Sequence, residues 1–213
     1  MPSKPLLRGV SHQIALVFAV TGAAGLLALA QGARATAVAA IYGASLTGLF
    51  GISALYHRPT WSPRALVWLR RLDHSMIFIF IAASANTVYA PLPDRLGVLA
   101  RSLAWGAAAV GITRAVLWPR APRWVASSLY IAFGWMMIPF LSALHQAIGV
   151  SGLLQLVAGG LFYTAGAVVY ALRRPNPAPR IFGYHEIFHL LVIAAAALHF
   201  ALVAKLVTTG ALR

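Results

Sequence analysis

Residues 124–172 read WVASSLYIAFGWMMIPFLSALHQAIGVSGLLQLVAGGLFYTAGAVVYAL, bounded by Arg123 and Arg173, with no Asp, Glu, Lys or Arg between them. A helix rises 1.5 Å per residue, so about 20 apolar residues cross the hydrocarbon of a bilayer. The stretch is too long for one crossing and suits two. The polar group His145-Gln146 with Gly149, Ser151 and Gly152 marks the turn, which predicts spans at about 124–144 and 152–172.

Charges delimit the rest of the chain in the same way. The gap from Arg8 to Arg34 leaves 12–33 for a first span, that from Arg34 to Arg58 leaves 35–57, and that from Asp73 to Asp94 leaves 74–93. A fourth, at about 96–118, carries Arg101 and Arg114 near its ends, where both can snorkel toward headgroups. The last, about 181–204, stops at Lys205 and holds Glu186. The expectation is an all-α, polytopic membrane protein: one domain over 1–213, folded as a bundle of seven transmembrane helices. Trp61–Arg71 is expected to lie along the inner surface ahead of the third span, and the Pro-rich run from Arg173 to Arg180 to form a stiff exposed connection. The N-terminus has a rival reading. Lys4 and Arg8, an apolar run and Ala28-Leu29-Ala30 also fit a cleavable signal peptide, whose removal would leave six spans.

Composition agrees with the charge map. The chain is 61% hydrophobic and 9% charged, where a soluble domain carries about 25% charged residues. It has no Cys, so neither a disulfide nor a thiolate ligand can form. Its 17 Lys+Arg against 3 acids invite a nucleic-acid reading, but such binders gather their bases on a polar surface. Here the basic residues punctuate apolar runs, and no nucleic-acid partner is expected. With the N-terminus inside, inner loops hold 12 of the 17 and outer loops 5, the bias that sets membrane orientation. The inner belt also takes Trp61, Trp68, Trp118 and Trp124, as interfacial anchors do.

Ionisable residues inside a membrane are costly and so point to function. His12, His57, Asp73, His74, His185, Glu186 and His189 all fall at the inner ends of spans, at one depth, whereas His145 lies near the outer face. His199 is about 15 Å beyond His189 by helix rise, and is expected to be a hydrogen-bonded core residue. The sharpest local signal is His185-Glu186-Ile187-Phe188-His189. Residues i and i+4 share a helix face, so two imidazoles there can close on one metal ion, with zinc favoured by a His-rich set. HExxH is also the zincin signature, with Glu as general base, which keeps an intramembrane metalloprotease open with Asp73 as its further ligand. Glu186 lies about 100° around the helix from His185, and can instead pair with a basic or histidine neighbour.

Five stretches together resemble the hemolysin III family, within the progestin and adipoQ receptor superfamily. They are Arg8-Gly9-Val10-Ser11-His12, Ser53-Ala54-Leu55-Tyr56-His57, Leu72-Asp73-His74, the run from Gly159 to Ala167, and Phe182 to His189 continuing to His199-Phe200. The resemblance implies seven spans with the N-terminus inside, in the bacterial inner (plasma) membrane. It also implies Zn2+ held by His57, His185 and His189 near the inner face, with a water between the metal and Asp73. After the Asp the family continues to Gly-Thr-Tyr-Thr-Pro, and this chain instead reads Ala83-Ser84-Ala85-Asn86-Thr87. Three His and a water form the catalytic zinc pattern. Asp73 would be the general base, and Ser53 would hold the water or a substrate oxygen, unless Ser53 only eases helix packing. His12 and His74 would orient the ligands. Among membrane lipids the superfamily suggests an amide such as ceramide as substrate. Two non-enzymatic readings stand beside this hydrolase: cytolysis or pore formation, after the family name, and a regulator of membrane state with structural zinc.

Overall fold

The computed structural model describes residues 4–212. Their helices are α1 (Val10–Leu29), α2 (Ala33–His57), α3 (Pro63–Val88), α4 (Asp94–Leu117), α5 (Arg123–Gly134), α6 (Leu141–Leu172) and α7 (Tyr184–Thr208), with no strand among the described residues. A 3₁₀ segment, Trp135–Phe140, joins α5 to α6 and contains Pro139. Proline has no N–H to donate, and the tighter 3₁₀ winding carries the chain past it.

The charge-free stretch turns back later than the expected span end at 144. α6 runs through His145 and Gln146 and breaks at Gly149, whose φ of 70° and ψ of 175° are not helical. A side chain there would carry the left-handed penalty that glycine escapes. Trp61–Arg71 does not form a separate surface segment either. Ser62 caps α3, its hydroxyl accepting the Ala65 amide at 3.3 Å with Pro63 at the first helical position, and the helix runs unbroken to Val88. Capping and an N-terminal proline start a helix wherever they occur, and the Arg-rich turns simply extend the third apolar segment. Tyr89 to Pro93, expected inside span three, form the turn into α4.

Five helical stretches are long and apolar enough to cross a membrane: Val10–Leu29, Ala33–His57, Asp94–Leu117, Arg123–Leu172 and Tyr184–Thr208. The fourth, at 50 residues, measures about 75 Å as helix, enough for two passes divided at Gly149. Neighbours in sequence pack as neighbours in space, and α7 closes the ring by meeting α1, α2 and α3. Small residues permit the close approaches that membrane helices depend on. A Cβ on Gly43 of α2 would stand 2.7 Å from that of Ala23 on α1. Large apolar side chains such as Phe18, Val110 and Leu154 point outward, while His12, Ser53, His57, His185, Glu186, His189 and His199 are buried. Polar groups inside and apolar groups outside are the arrangement of a protein solvated by lipid.

Candidate metal centre

Two helix ends build the centre. α2 terminates on His57, before Arg58 and Pro59. α7 starts after Gly183, where Glu186 closes a capping interaction by accepting the Gly183 amide at 2.8 Å on Oε2. That cap fixes the first turns of α7, and with them His185 and, one turn on, His189. α1 begins beside them. Gly9, at φ 78°, passes so close to His57 that a Cβ on it would lie 2.7 Å from that of the histidine.

His57, His185 and His189 are all buried, and their candidate ligand atoms lie within 4.8 Å of one another. The Nε2 atoms of His57 and His185 are 3.1 Å apart, and ring centroids are separated by 4.6 Å (57–185), 4.5 Å (185–189) and 5.2 Å (57–189). The Nδ1 of His189 is buried without a hydrogen-bond partner. Closely spaced imidazoles with lone pairs and few donors around them can hold a metal ion.

The other predicted residues separate into distinct roles. Ser53, one turn before His57, sits 2.8 Å from Nδ1 of His12, and Asp73 lines the same cavity as both. His12 also stacks on His189, with centroids 3.7 Å apart and planes within 5°. It supports a centre residue by ring contact. Its place on α1 means that loss of the first helix would take His12 and Arg8 with it. His74 turns away from the centre, its Nδ1 lying 3.1 Å from the Tyr130 hydroxyl on α5. His199 is deep in the bundle with Nε2 3.2 Å from the Leu156 carbonyl, the core histidine expected of it. His145 is exposed. Both oxygens of Glu186 are engaged, Oε1 with Arg8 Nε at 2.5 Å and Oε2 with Gly183. Sequence reasoning missed the His12–His189 stack and the identity of Arg8 as the Glu186 partner. The shared RGVSH stretch ahead of the first span was the available signal for both.

The centre opens on a cavity of about 690 Å³. Its wall carries His12, Ser53, His57, Asp73, His185 and His189 together with apolar and aromatic side chains including Phe80, Val88, Ala104, Leu156 and Val192. Its volume falls in the range of small-ligand sites, about 300–1,000 Å³. Ser84 and Ala85, where the chain departs from the family's usual sequence, line it too.

An all-helical integral membrane protein with a buried three-histidine centre in the wall of an internal cavity is therefore the class defined by the fold and the site. The chain belongs to the haemolysin-III related family, which it matches over residues 2–200, and so to the progestin and adipoQ receptor superfamily. It is 27% identical to the hemolysin-3 homolog of Bacillus subtilis over 161 residues, 75% of this chain and 72% of the relative. With the human monocyte to macrophage differentiation factor it shares 30% identity over 199 residues, 89% of this chain and 79% of that one. With the heptahelical transmembrane protein ADIPOR2 of rice it shares 36% over 162 residues, 67% and 69% of the two chains. Its match to bacterial hemolysin-3 proteins places it in the plasma membrane.

Proposed function

We propose that this protein is a zinc-dependent hydrolase of lipid amides, folded as a single seven-pass domain with its N-terminus and histidine centre on the cytoplasmic side. The observation that carries this reading is the union, in one cavity, of three convergent imidazoles, a carboxylate and a long apolar wall. Two ligand nitrogens at 2.0–2.1 Å from a tetrahedral zinc ion stand about 3.3 Å apart, close to the 3.1 Å between His57 and His185. Likeness to a heptahelical transmembrane protein of rice supports the seven passes. The division of 123–172 at Gly149 and the length of α3 fit the same count.

Zinc held there would supply Lewis acidity, polarising an acyl oxygen and making water a better nucleophile near neutral pH. The chain's own residues then handle protons. Ser53 Oγ and His12 Nδ1 share a hydrogen bond at 2.8 Å, and Asp73 lines the same cavity. In the reaction Asp73 would take a proton from water and return it to the departing amine nitrogen. The apolar wall holds the acyl chain and keeps bulk water from the reacting bond.

Against the metalloprotease reading stands Glu186, whose carboxylate is committed to Arg8 and Gly183. Cytolysis, the property in the names of the hemolysin-3 relatives, draws no support from the internal cavity. Elemental analysis of purified protein is the first test, with about one zinc per chain expected and none in His189→Ala. Cleavage of N-acyl lipids in liposomes is the second. Undiminished turnover by both His57→Ala and Asp73→Ala refutes the proposal. Loss of zinc that unfolds the bundle, without any amide cleavage by the intact protein, favours a structural metal.

A further inference from the structure

The cavity wall that carries the histidines also carries Lys4, Arg8, Arg70 and Arg123. Only Arg8 has an acidic partner, Glu186, and no ion pair joins the other three to a carboxylate among the described residues. Lys4 is turned to the Arg58 and Pro59 carbonyls at 3.1 and 3.3 Å. Arg123 donates to the Tyr184 hydroxyl at 2.7 Å and lies 5.2 Å over the Tyr170 ring. That ring is 5.7 Å from His185. Arg70 comes from α3, one turn ahead of Asp73 and His74, and lines the same cavity. Two guanidiniums thus line the cavity that holds the histidine centre, and Asp73 is the one acid among its described lining residues. A bound divalent metal would add to the surplus of positive charge. Guanidinium presents a fork of donors and no acceptor, so a neutral amide would leave most of that fork unused.

The opposite demand comes from the rest of the cavity. Its α3 face, from Asp73 through Ile77, Phe80, Ile81 and Val88 to Tyr89, extends about 24 Å along the helix. It is apolar almost throughout and suits an extended acyl chain. The ligand must therefore be an amphiphile with an anionic group.

We infer that the site takes N-acyl amino acids: the acyl chain along α3, the amide at His57, His185 and His189, and the adjacent carboxylate on Arg70 and Arg123. In this class the carboxylate is one carbon from the amide nitrogen, so both groups fit the part of the cavity where Arg123 lies over the Tyr170 ring next to His185 and Arg70 also lines the wall. Arg–carboxylate pairs are bidentate and so fix orientation as well as affinity. The cleavage step rests on the hydrolase reading above, whereas the binding step does not. In cleavage, the oxygen of water joins the acyl carbon as the C–N bond breaks. Both water protons end on the released nitrogen, giving a fatty-acid carboxylate and a zwitterionic amino acid.

The test is equilibrium binding of radiolabelled N-oleoylglycine and N-oleoylethanolamine to the full chain in nanodiscs of zwitterionic lipid, corrected for empty discs. The two ligands share the acyl chain and amide and differ in the carboxylate. The glycine conjugate is expected to bind about ten-fold tighter or more, the worth of a charge-assisted contact. Arg70→Gln/Arg123→Gln should bring the ratio near one. Arg174→Gln, which removes an exposed charge outside the cavity, should leave it. Equal affinities in the wild type overturn the inference, as does a ratio that survives in the double variant. Loss of the preference when phosphatidylglycerol is added to the discs also overturns it, because the cations then read bilayer headgroups. The single variants carry the same reading should the double one not fold. Because the ratio needs no turnover, a protein that binds selectively and cleaves neither ligand refutes the hydrolase and leaves the anion site standing.

Discussion

Arg8→Ala tests whether Glu186 serves the fold or the chemistry. Glu186 is 3% exposed and the Arg8 side chain 19%, with Nε and Oε1 2.5 Å apart. Removing one member of a buried pair strands the other charge and costs about 3–5 kcal/mol. Arg8 keeps some access to water, so the lower figure, about 3 kcal/mol, is expected. Glu186→Gln removes the same attraction but leaves no buried charge and keeps an acceptor for the Gly183 amide, so it should cost about 1–2 kcal/mol. In Arg8→Ala/Glu186→Gln the stranded carboxylate is absent. The double variant should therefore be no less stable than Arg8→Ala alone, giving a coupling of about 1–2 kcal/mol, as contacting residues do. Unfolding by sodium dodecyl sulfate in mixed micelles, followed by circular dichroism, measures all three. Additive losses would refute the pairing argument. So would a Glu186→Gln protein that stays folded and zinc-loaded yet loses amide cleavage by orders of magnitude, the behaviour of a general base.

Other outcomes follow from the same geometry. Ser53→Ala removes the hydroxyl hydrogen-bonded to His12 and should lower amide turnover about 10²-fold, with zinc content by elemental analysis unchanged. His185→Ala should reduce zinc well below one per chain, and chelation of the wild type should abolish turnover until zinc is returned. Gly111→Ala would put a Cβ 2.2 Å from the buried Phe78 ring, an overpacking that should cost about 1–3 kcal/mol in the same unfolding assay. Gly149→Ala meets nothing within 4 Å and is opposed by its φ of +70° alone, so about 1–2 kcal/mol is expected.

The charge gaps brought the helices into view because hydrocarbon excludes charge wherever it lies along the chain. Their ends were less legible. Charge alone starts the third span after Asp73, whereas a cap at Ser62 and a proline at Pro63 carry α3 back beyond Arg64. Similarly, His145 and Gln146 looked like a turn, but polar side chains at a helix surface need not end the helix. Gly149 ends it because its backbone leaves the helical region.

The sequence by itself determined the membrane class, the helical content, the place of each histidine along its helix and the i,i+4 pairing of His185 with His189. That place follows from a rise of 1.5 Å per residue, a property of one helix alone. Tertiary structure decided what lies across from what: His57 against His185, His12 on His189, His74 with Tyr130, His199 with Leu156, and Arg8 on Glu186. These contacts depend on how each helix is rotated and which neighbour it meets. In lipid that information is faint in the sequence, because lipid-facing and core-facing sides are both apolar and no stripe marks the inner face. Interlocking of small residues, such as Gly43 against Ala23 and Gly9 against His57, sets the rotations and so assembles the centre.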